Sequence, residues 1–277
     1  MIGYLNIPRL DIAVAENVDE ALNLLEAEPA REILAAGTEI ITALTMATKK
    51  TRKFVDITRI EQLREIRTEN GRVSAGALVT HHELASALKK SVPAFENFLA
   101  SYSSPAVSYR ATVGGSVILR RASEDLLPIL LAMDAELVFA TREGEKKISL
   151  HDFLIKGMVE KALLKSVIFS MSSWCFFEKL WMGVSRYPLI SVAVAMRDGF
   201  VRVAVSHRDM NTPGRVLSVE KFLENKPLTG ETLAKAAQLL SDSINPVDDV
   251  LASSWYRRKV AGVLFRRLLE QYGGGRE

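Results

Sequence analysis

Two short segments of small residues, far apart in the chain, constrain its fold most. They are Leu34-Ala35-Ala36-Gly37-Thr38-Glu39-Ile40 and Ala111-Thr112-Val113-Gly114-Gly115-Ser116-Val117. Each adjoins apolar sequence and offers small side chains with a hydroxyl. Glycine permits turns and close approaches that a Cβ would block, and such turns present backbone N–H groups to an anion. Thr38, Thr112 and Ser116 add hydroxyl donors. Together the segments read as two halves of a diphosphate cradle. Taken singly each is weak, since a lone Gly-Gly is commonly just a turn.

The familiar nucleotide and nucleophile signatures are absent. There is no G-x-G-x-x-G, no G-x-x-x-x-G-K-[ST] and no G-x-S-x-G. The 277 residues suggest about two domains, and 48% apolar with 25% charged residues is ordinary for a globular chain. Lys and Arg exceed Asp and Glu by 36 − 33 = 3, which requires no nucleic-acid or membrane partner. Arg257, Arg258, Lys259, Arg266 and Arg267 do form a basic helix. Val260, Val263 and Leu264 between them make a solvated or partner-docking amphipathic helix the simpler reading. One cysteine, Cys175, excludes an intrachain disulfide, a zinc knuckle or an iron–sulfur site. Electron chemistry would therefore use an organic cofactor, and Cys175 reads as a small buried residue. The apolar stretch Val167 to Phe177 falls short of the ~20 residues that span a bilayer. Met1-Ile2-Gly3-Tyr4 lacks signal-peptide features, so a cytoplasmic location is expected.

Periodicity gives a coarse map. Asn17 and Glu20 open a helix through Leu25 with a cap resembling a capping box. Ile33 to Ala35, Phe54 to Ile57 and Val73 to Val79 read as strands. Thr80 and Glu83 form a second capping box. His81 and His82 are adjacent, do not share a helix face, and read as a helix start and not a metal site. Asp125 to Met133 is helix-like. Ala135 to Thr141 is strand-like, and Glu143-Gly144 turns into Lys146 to Leu150. From about Lys161 the pattern becomes β-rich: Leu163 to Ser170, then Pro188 to Met196 and Phe200 to Ser206 around an Asp198-Gly199 hairpin signal. Helices follow near Glu231 to Leu240 and Trp255 to Gln271. The mix argues for an α+β build. A division is expected at 1–157 (lobes of about 1–58 and 59–157) and 158–277.

Several blocks, in order along nearly the whole chain, carry a resemblance. Leu34 to Ile40 resembles the first flavin loop of the FAD-binding medium subunit of molybdenum hydroxylases, the family of xanthine dehydrogenase and aerobic carbon monoxide dehydrogenase. Phe54 to Ile60 and Ala75 to His81 are similar to its following blocks. Ser104 to Val107 leading into Thr112 to Gly115 resembles its second flavin loop, and Ser123 to Leu126 its acidic block. Ser253 to Arg267 looks like its C-terminal helix. The resemblance implies a two-part FAD-binding domain of the vanillyl-alcohol-oxidase/MurB-like (PCMH) type, followed by an antiparallel sheet with helices. Ile33, Leu34, Ala35, Ala36, Gly37, Thr38, Glu39 and Ile40 would wrap the FAD diphosphate, with Thr112, Gly114, Gly115 and Ser116 completing the cradle. Asp125 would lie toward the ribose or adenosine end. Tyr102 would stack near the cofactor or pack in the core. Lys179 would stand near the flavin or be a solvated lysine. Leu164 would line the flavin ring.

The implied function is electron transfer. Substrate would be oxidised at a molybdopterin site on a large subunit. Electrons would cross 2Fe-2S clusters on a small subunit, and FAD in this chain would pass them to NAD or another acceptor. A self-contained FAD oxidoreductase and a scaffold subunit without flavin are the alternatives. The chain departs from the family pattern at Ala36 and Ala111, where glycine is usual, at Ser116, where asparagine is usual, and at Met182, Gly183 and Val184, where an Arg pair is often found.

Overall fold

The computed structural model describes residues 9–102, 104–157, 159–172, 174–183, 186–197 and 199–273. Asp198 of the hairpin signal and Val184 lie outside them. The chain begins with β1 (Asp11–Val14), α1 (Val18–Ala27), β2 (Glu32–Leu34), α2 (Thr38–Thr45) and β3 (Lys53–Asp56). β3 pairs in parallel with both β1 and β2, giving the order β1-β3-β2. The helix after Asn17 forms because the Asn17 side chain accepts from the Glu20 amide at 2.8 Å, filling an orphan donor of the first turn. The Glu20 carboxylate accepts from the Glu16 amide instead of closing a strict capping box. Ala21 and Leu22 then pack against Val55 and Ile57.

The second lobe comprises β4 (Ile66–Glu69), β5 (Arg72–Gly76), α3 (His81–Leu88), α4 (Pro93–Ser101), α5 (Pro105–Ser108), α6 (Val113–Leu119), α7 (Leu126–Ala132), β6 (Glu136–Thr141), β7 (Gly144–Ser149), α8 (Leu150–Lys156) and β8 (Leu163–Ser170). Its antiparallel sheet runs β4-β5-β8-β6-β7. The β-rich pattern from about Lys161 predicts Leu163 to Ser170 among the C-terminal strands. The strand instead lies between β5 and β6, where its alternate residues Val167 and Phe169 reach the second lobe's core. Thr80 and Glu83 form the expected capping box at α3.

The rest comprises β9 (Cys175–Trp181), β10 (Pro188–Arg197), β11 (Phe200–His207), β12 (Gly214–Arg215), α9 (Leu217–Leu223), α10 (Gly230–Ser243) and α11 (Ser254–Gly273). The sheet order is β12-β11-β10-β9, and β10 meets β11 with Arg197 opposite Phe200. Strand side chains alternate between faces. In β10, Ala193 and Ala195 join the second lobe's core, while Val192 and Val194 meet α9 to α11. Burial on both faces explains why this strand is apolar from Leu189 to Met196 except at Ser191. Cys175 is buried, as read, and burial pushes its thiol up. Arg257, read as part of a solvated or partner-docking helix, is fully buried. Its guanidinium meets Asp209 at 3.1 Å, Asp249 at 2.6 Å and the Val247 carbonyl. Val263, read on the apolar face of that helix, is exposed, as are Arg258, Lys259, Arg266 and Arg267.

Candidate cofactor site

A cavity of about 260 Å³ opens between the first two lobes. One wall comes from the β2–α2 loop, and the opposite wall from the start of α6 and from β8. The two glycine segments therefore face the same space. Of the residues expected at a cofactor, Ile33, Ala35 to Ile40, Tyr102, Thr112, Gly114, Gly115, Ser116 and Leu164 line it, and Leu34, Asp125 and Lys179 do not. Glu32, Lys49, Ala77 and Glu124 line it without having been singled out. Glu124 was legible as part of the acidic block, where the choice fell on its neighbour Asp125.

The two segments offer different chemistry. Gly37 caps α2 in the left-handed region at φ +75°, and no side chain caps the helix. The amides of Thr38, Glu39 and Ile40 find no acceptor among the described residues, so α2 presents open donors and the positive end of its dipole to the cavity. The start of α6 is stitched shut. Val113 donates to Val79 O and Gly114 to Ala77 O, both at 2.9 Å, and Gly115 donates to Thr112 Oγ1 at 3.1 Å. A Cβ at Gly114 would sit 2.8 Å from both Ala77 Cβ and Ala77 O. This glycine serves the docking of α6 on the β5–α3 connection. Of the second segment only the Thr112 amide lacks an acceptor among the described residues, against three consecutive amides at the start of α2.

The charged lining is internally balanced. Glu39 pairs with Arg121, and Glu32 with Lys49 at 2.5 Å. Ser116 is not free to bind a ligand, since its hydroxyl bonds His81 Nε2 at 2.9 Å and Glu124. Burial is the main force raising the Glu124 carboxyl from its ordinary range; the Ser116 bond opposes it, and Glu39 and Asp125 add to it. Burial lowers the His81 imidazole to about 4 against a hydrogen bond to the Thr112 backbone, so the ring is neutral near pH 7.

Asp125 and Lys179 pair with each other behind the wall, their side chains 7% and 1% exposed. The Lys179 ammonium also donates to the Arg186 carbonyl at 3.1 Å. Burial drives the Asp125 carboxyl up to about 6 even though Lys179 pulls it down.

Open helix-terminal amides, the Thr38 and Thr112 hydroxyls and paired carboxylates suit a diphosphate flanked by apolar groups. The class is that of a protein that binds a diphosphate-bearing cofactor. Residues 8–170 match the family described as FAD binding domain in molybdopterin dehydrogenase, and the chain belongs to that family. Residues 201–272 match the CO dehydrogenase flavoprotein C-terminal domain. Among relatives, the glyceraldehyde dehydrogenase medium chain of Sulfolobus acidocaldarius is 26% identical, over 95% of this chain and 98% of its own length. The 6-hydroxypseudooxynicotine dehydrogenase complex subunit alpha of Paenarthrobacter nicotinovorans is also 26% identical, over 95% and 94%. Of solved structures, quinoline 2-oxidoreductase from Pseudomonas putida 86 superposes with a TM-score of 0.87 at 23% identity, covering 98% of this chain and 99% of that one.

Proposed function

We propose that the cavity holds FAD with its diphosphate at the start of α2, and that the chain is the electron-transferring flavin subunit of a molybdenum hydroxylase complex. The observation that carries this reading is the convergence of both family loops on one cavity, with three consecutive open amides at the start of α2. Thr38, Glu39 and Ile40 would bind the diphosphate through their amides, and Thr38 and Thr112 through their hydroxyls. Gly114 and Gly115 keep α6 close enough to form the far wall. Tyr102 and Leu164 would border the flavin. Asp125 and Lys179 serve the protein, tying the start of α7 to β9. Bound FAD supplies the redox chemistry, accepting electrons and passing them on.

The names of the relatives support a subunit role: three are medium chains, and one is the FAD-subunit of nicotinate dehydrogenase from Eubacterium barkeri. A large molybdopterin subunit would oxidise the substrate and a small 2Fe-2S subunit would relay electrons, with NAD or another compound as acceptor. Among the described residues no helix is long and apolar enough to cross a membrane; a cytoplasmic location is part of the same proposal. We place the division between flavin-binding and C-terminal parts after Ser170, because β8 completes the second sheet. The test is purification from the native source with a flavin spectrum and a metal count. Co-purifying subunits with molybdenum and iron are expected. Flavin on a solitary chain reducible directly by a small substrate would overturn the subunit role.

A further inference from the structure

Three hydrogen bonds join four side chains in a line behind the cavity wall. Tyr102 Oη lies 2.9 Å from His81 Nδ1, His81 Nε2 lies 2.9 Å from Ser116 Oγ, and Ser116 Oγ bonds Glu124 Oε2. Tyr102, Ser116 and Glu124 form part of the cavity lining, and His81 is 1% exposed. The chemistry of each group makes the line directional. An ionised Glu124 can only accept, so Ser116 gives it the hydroxyl hydrogen. Ser116 Oγ then accepts from Nε2–H, and the bare Nδ1 accepts from the Tyr102 O–H. When Glu124 is protonated, the opposite arrangement satisfies every member. Glu124 donates to Ser116, Ser116 to Nε2 and Nδ1–H to Tyr102, whose own hydrogen is released. Mixed arrangements set donor against donor in a buried place, which is costly.

We propose that Tyr102, His81, Ser116 and Glu124 form a proton relay that carries one proton between Glu124 and the phenol oxygen of Tyr102 at the cavity. In the outward direction the Tyr102 O–H bond breaks and a bond from that hydrogen to a basic atom in the cavity forms. Nδ1–H then passes to the phenol oxygen, the Ser116 hydrogen to Nε2, and the Glu124 hydrogen to Ser116, leaving a carboxylate. His81 begins and ends neutral and changes only its tautomer. Nothing in the relay is oxidised or reduced. The receiving group is a cofactor that takes up protons with its electrons, and only this part rests on the flavin reading above.

The surroundings suit the role. Burial keeps His81 from becoming an imidazolium and, with the carboxylates Glu124, Asp125 and Glu39, disfavours a lasting phenolate at Tyr102. The charged groups facing Glu124 are Glu39 of α2, Asp125 with its partner Lys179 of β9, and Arg121, which alone favours the carboxylate. The Arg186 guanidinium donates to the Tyr102 carbonyl and leaves the phenol free. Ser116 stands where the resembling family usually carries asparagine. A hydroxyl reverses its donor direction by rotation about one bond, whereas an amide has fixed donor and acceptor ends.

The experiment follows the ring nitrogens of His81 by NMR in the full chain, labelled with ¹⁵N-histidine and free of FAD. The signals are assigned through the contact with the Phe98 ring, 5.5 Å away. As pH falls through the titration of Glu124, read by its carboxyl infrared band, Nδ1 and Nε2 are expected to exchange roles with no imidazolium formed. Ser116→Ala, Glu124→Gln and the milder Tyr102→Phe should each fix one tautomer. A single tautomer across the Glu124 titration, a Glu124 ionised throughout the stable range, or exchange persisting in Ser116→Ala would each overturn the relay. In FAD-loaded protein, the pH dependence of the flavin potential should break at the Glu124 titration, and the break should vanish in Ser116→Ala. Failure to bind FAD alongside a switching His81 would sink the flavin reading and leave the relay standing.

Discussion

Lys179→Met separates a structural from a cofactor role for the buried pair. In the native protein Asp125 titrates at about 6 in the fold against 3.8 as the ordinary value. A carboxyl raised in the fold contributes full stability below its unfolded value and loses it as pH rises. The native loss stops growing above about 6, where folded Asp125 ionises beside Lys179. In the variant the remaining carboxylate has no cation, and its Oδ1 already lacks a partner. It stays protonated in the fold while the unfolded chain ionises. The stability gap between variant and native protein should therefore widen by about 1.4 kcal/mol per pH unit above that point. Two units higher, the added deficit is about 3 kcal/mol, or roughly 6–12 °C in Tm. Thermal unfolding by circular dichroism across pH measures it, with FAD affinity from flavin fluorescence at low temperature as the control. A constant gap would refute the linkage. An unchanged Tm with a tenfold or greater loss of FAD affinity would place Lys179 at the cofactor.

Gly114→Ala drives a methyl into Ala77 and should cost about 1–3 kcal/mol while weakening FAD binding. Gly230→Ala, whose Cβ meets nothing within 4 Å, should stay within about 0.5 kcal/mol, and chemical denaturation compares the two. Arg257→Met should destabilise the C-terminal part by about 2 kcal/mol, less than the ~3–5 kcal/mol of a fully buried pair because the carboxylates left behind are partly exposed. Asp249 is held at about 2, first by its hydrogen bond from Arg257. The stability it contributes is present above 3.8 and lost as pH falls toward about 2, so acid unfolding followed by tryptophan fluorescence should be less steep in Arg257→Met.

The convergence of the glycine segments was legible because their small residues and hydroxyls share one chemistry. What each segment does was not. That α6 spends its first amides on Val79 and Ala77 depends on a contact across the fold, so the second segment read as an anion site when it is largely a packing surface. Lys179 falls on the same strand face as Cys175 and Phe177, a buried position. Its partner Asp125 is 54 residues away, and no local pattern pairs them. Arg257 was misread for the same reason, its carboxylates coming from the segments around Asp209 and Asp249. β8 was grouped with the wrong strands because an apolar run reports burial and not the sheet that buries it. His81 was read correctly as a helix start, but its second role depends on Ser116, 35 residues away.

Amide hydrogen exchange at residue resolution, with and without FAD, tests the central claim most directly. Thr38, Glu39 and Ile40 should exchange fast in the free protein and slow markedly when FAD binds. Val113, Gly114 and Gly115, already bonded, should change little. Unchanged exchange at Thr38 to Ile40 in protein saturated with FAD would contradict the account.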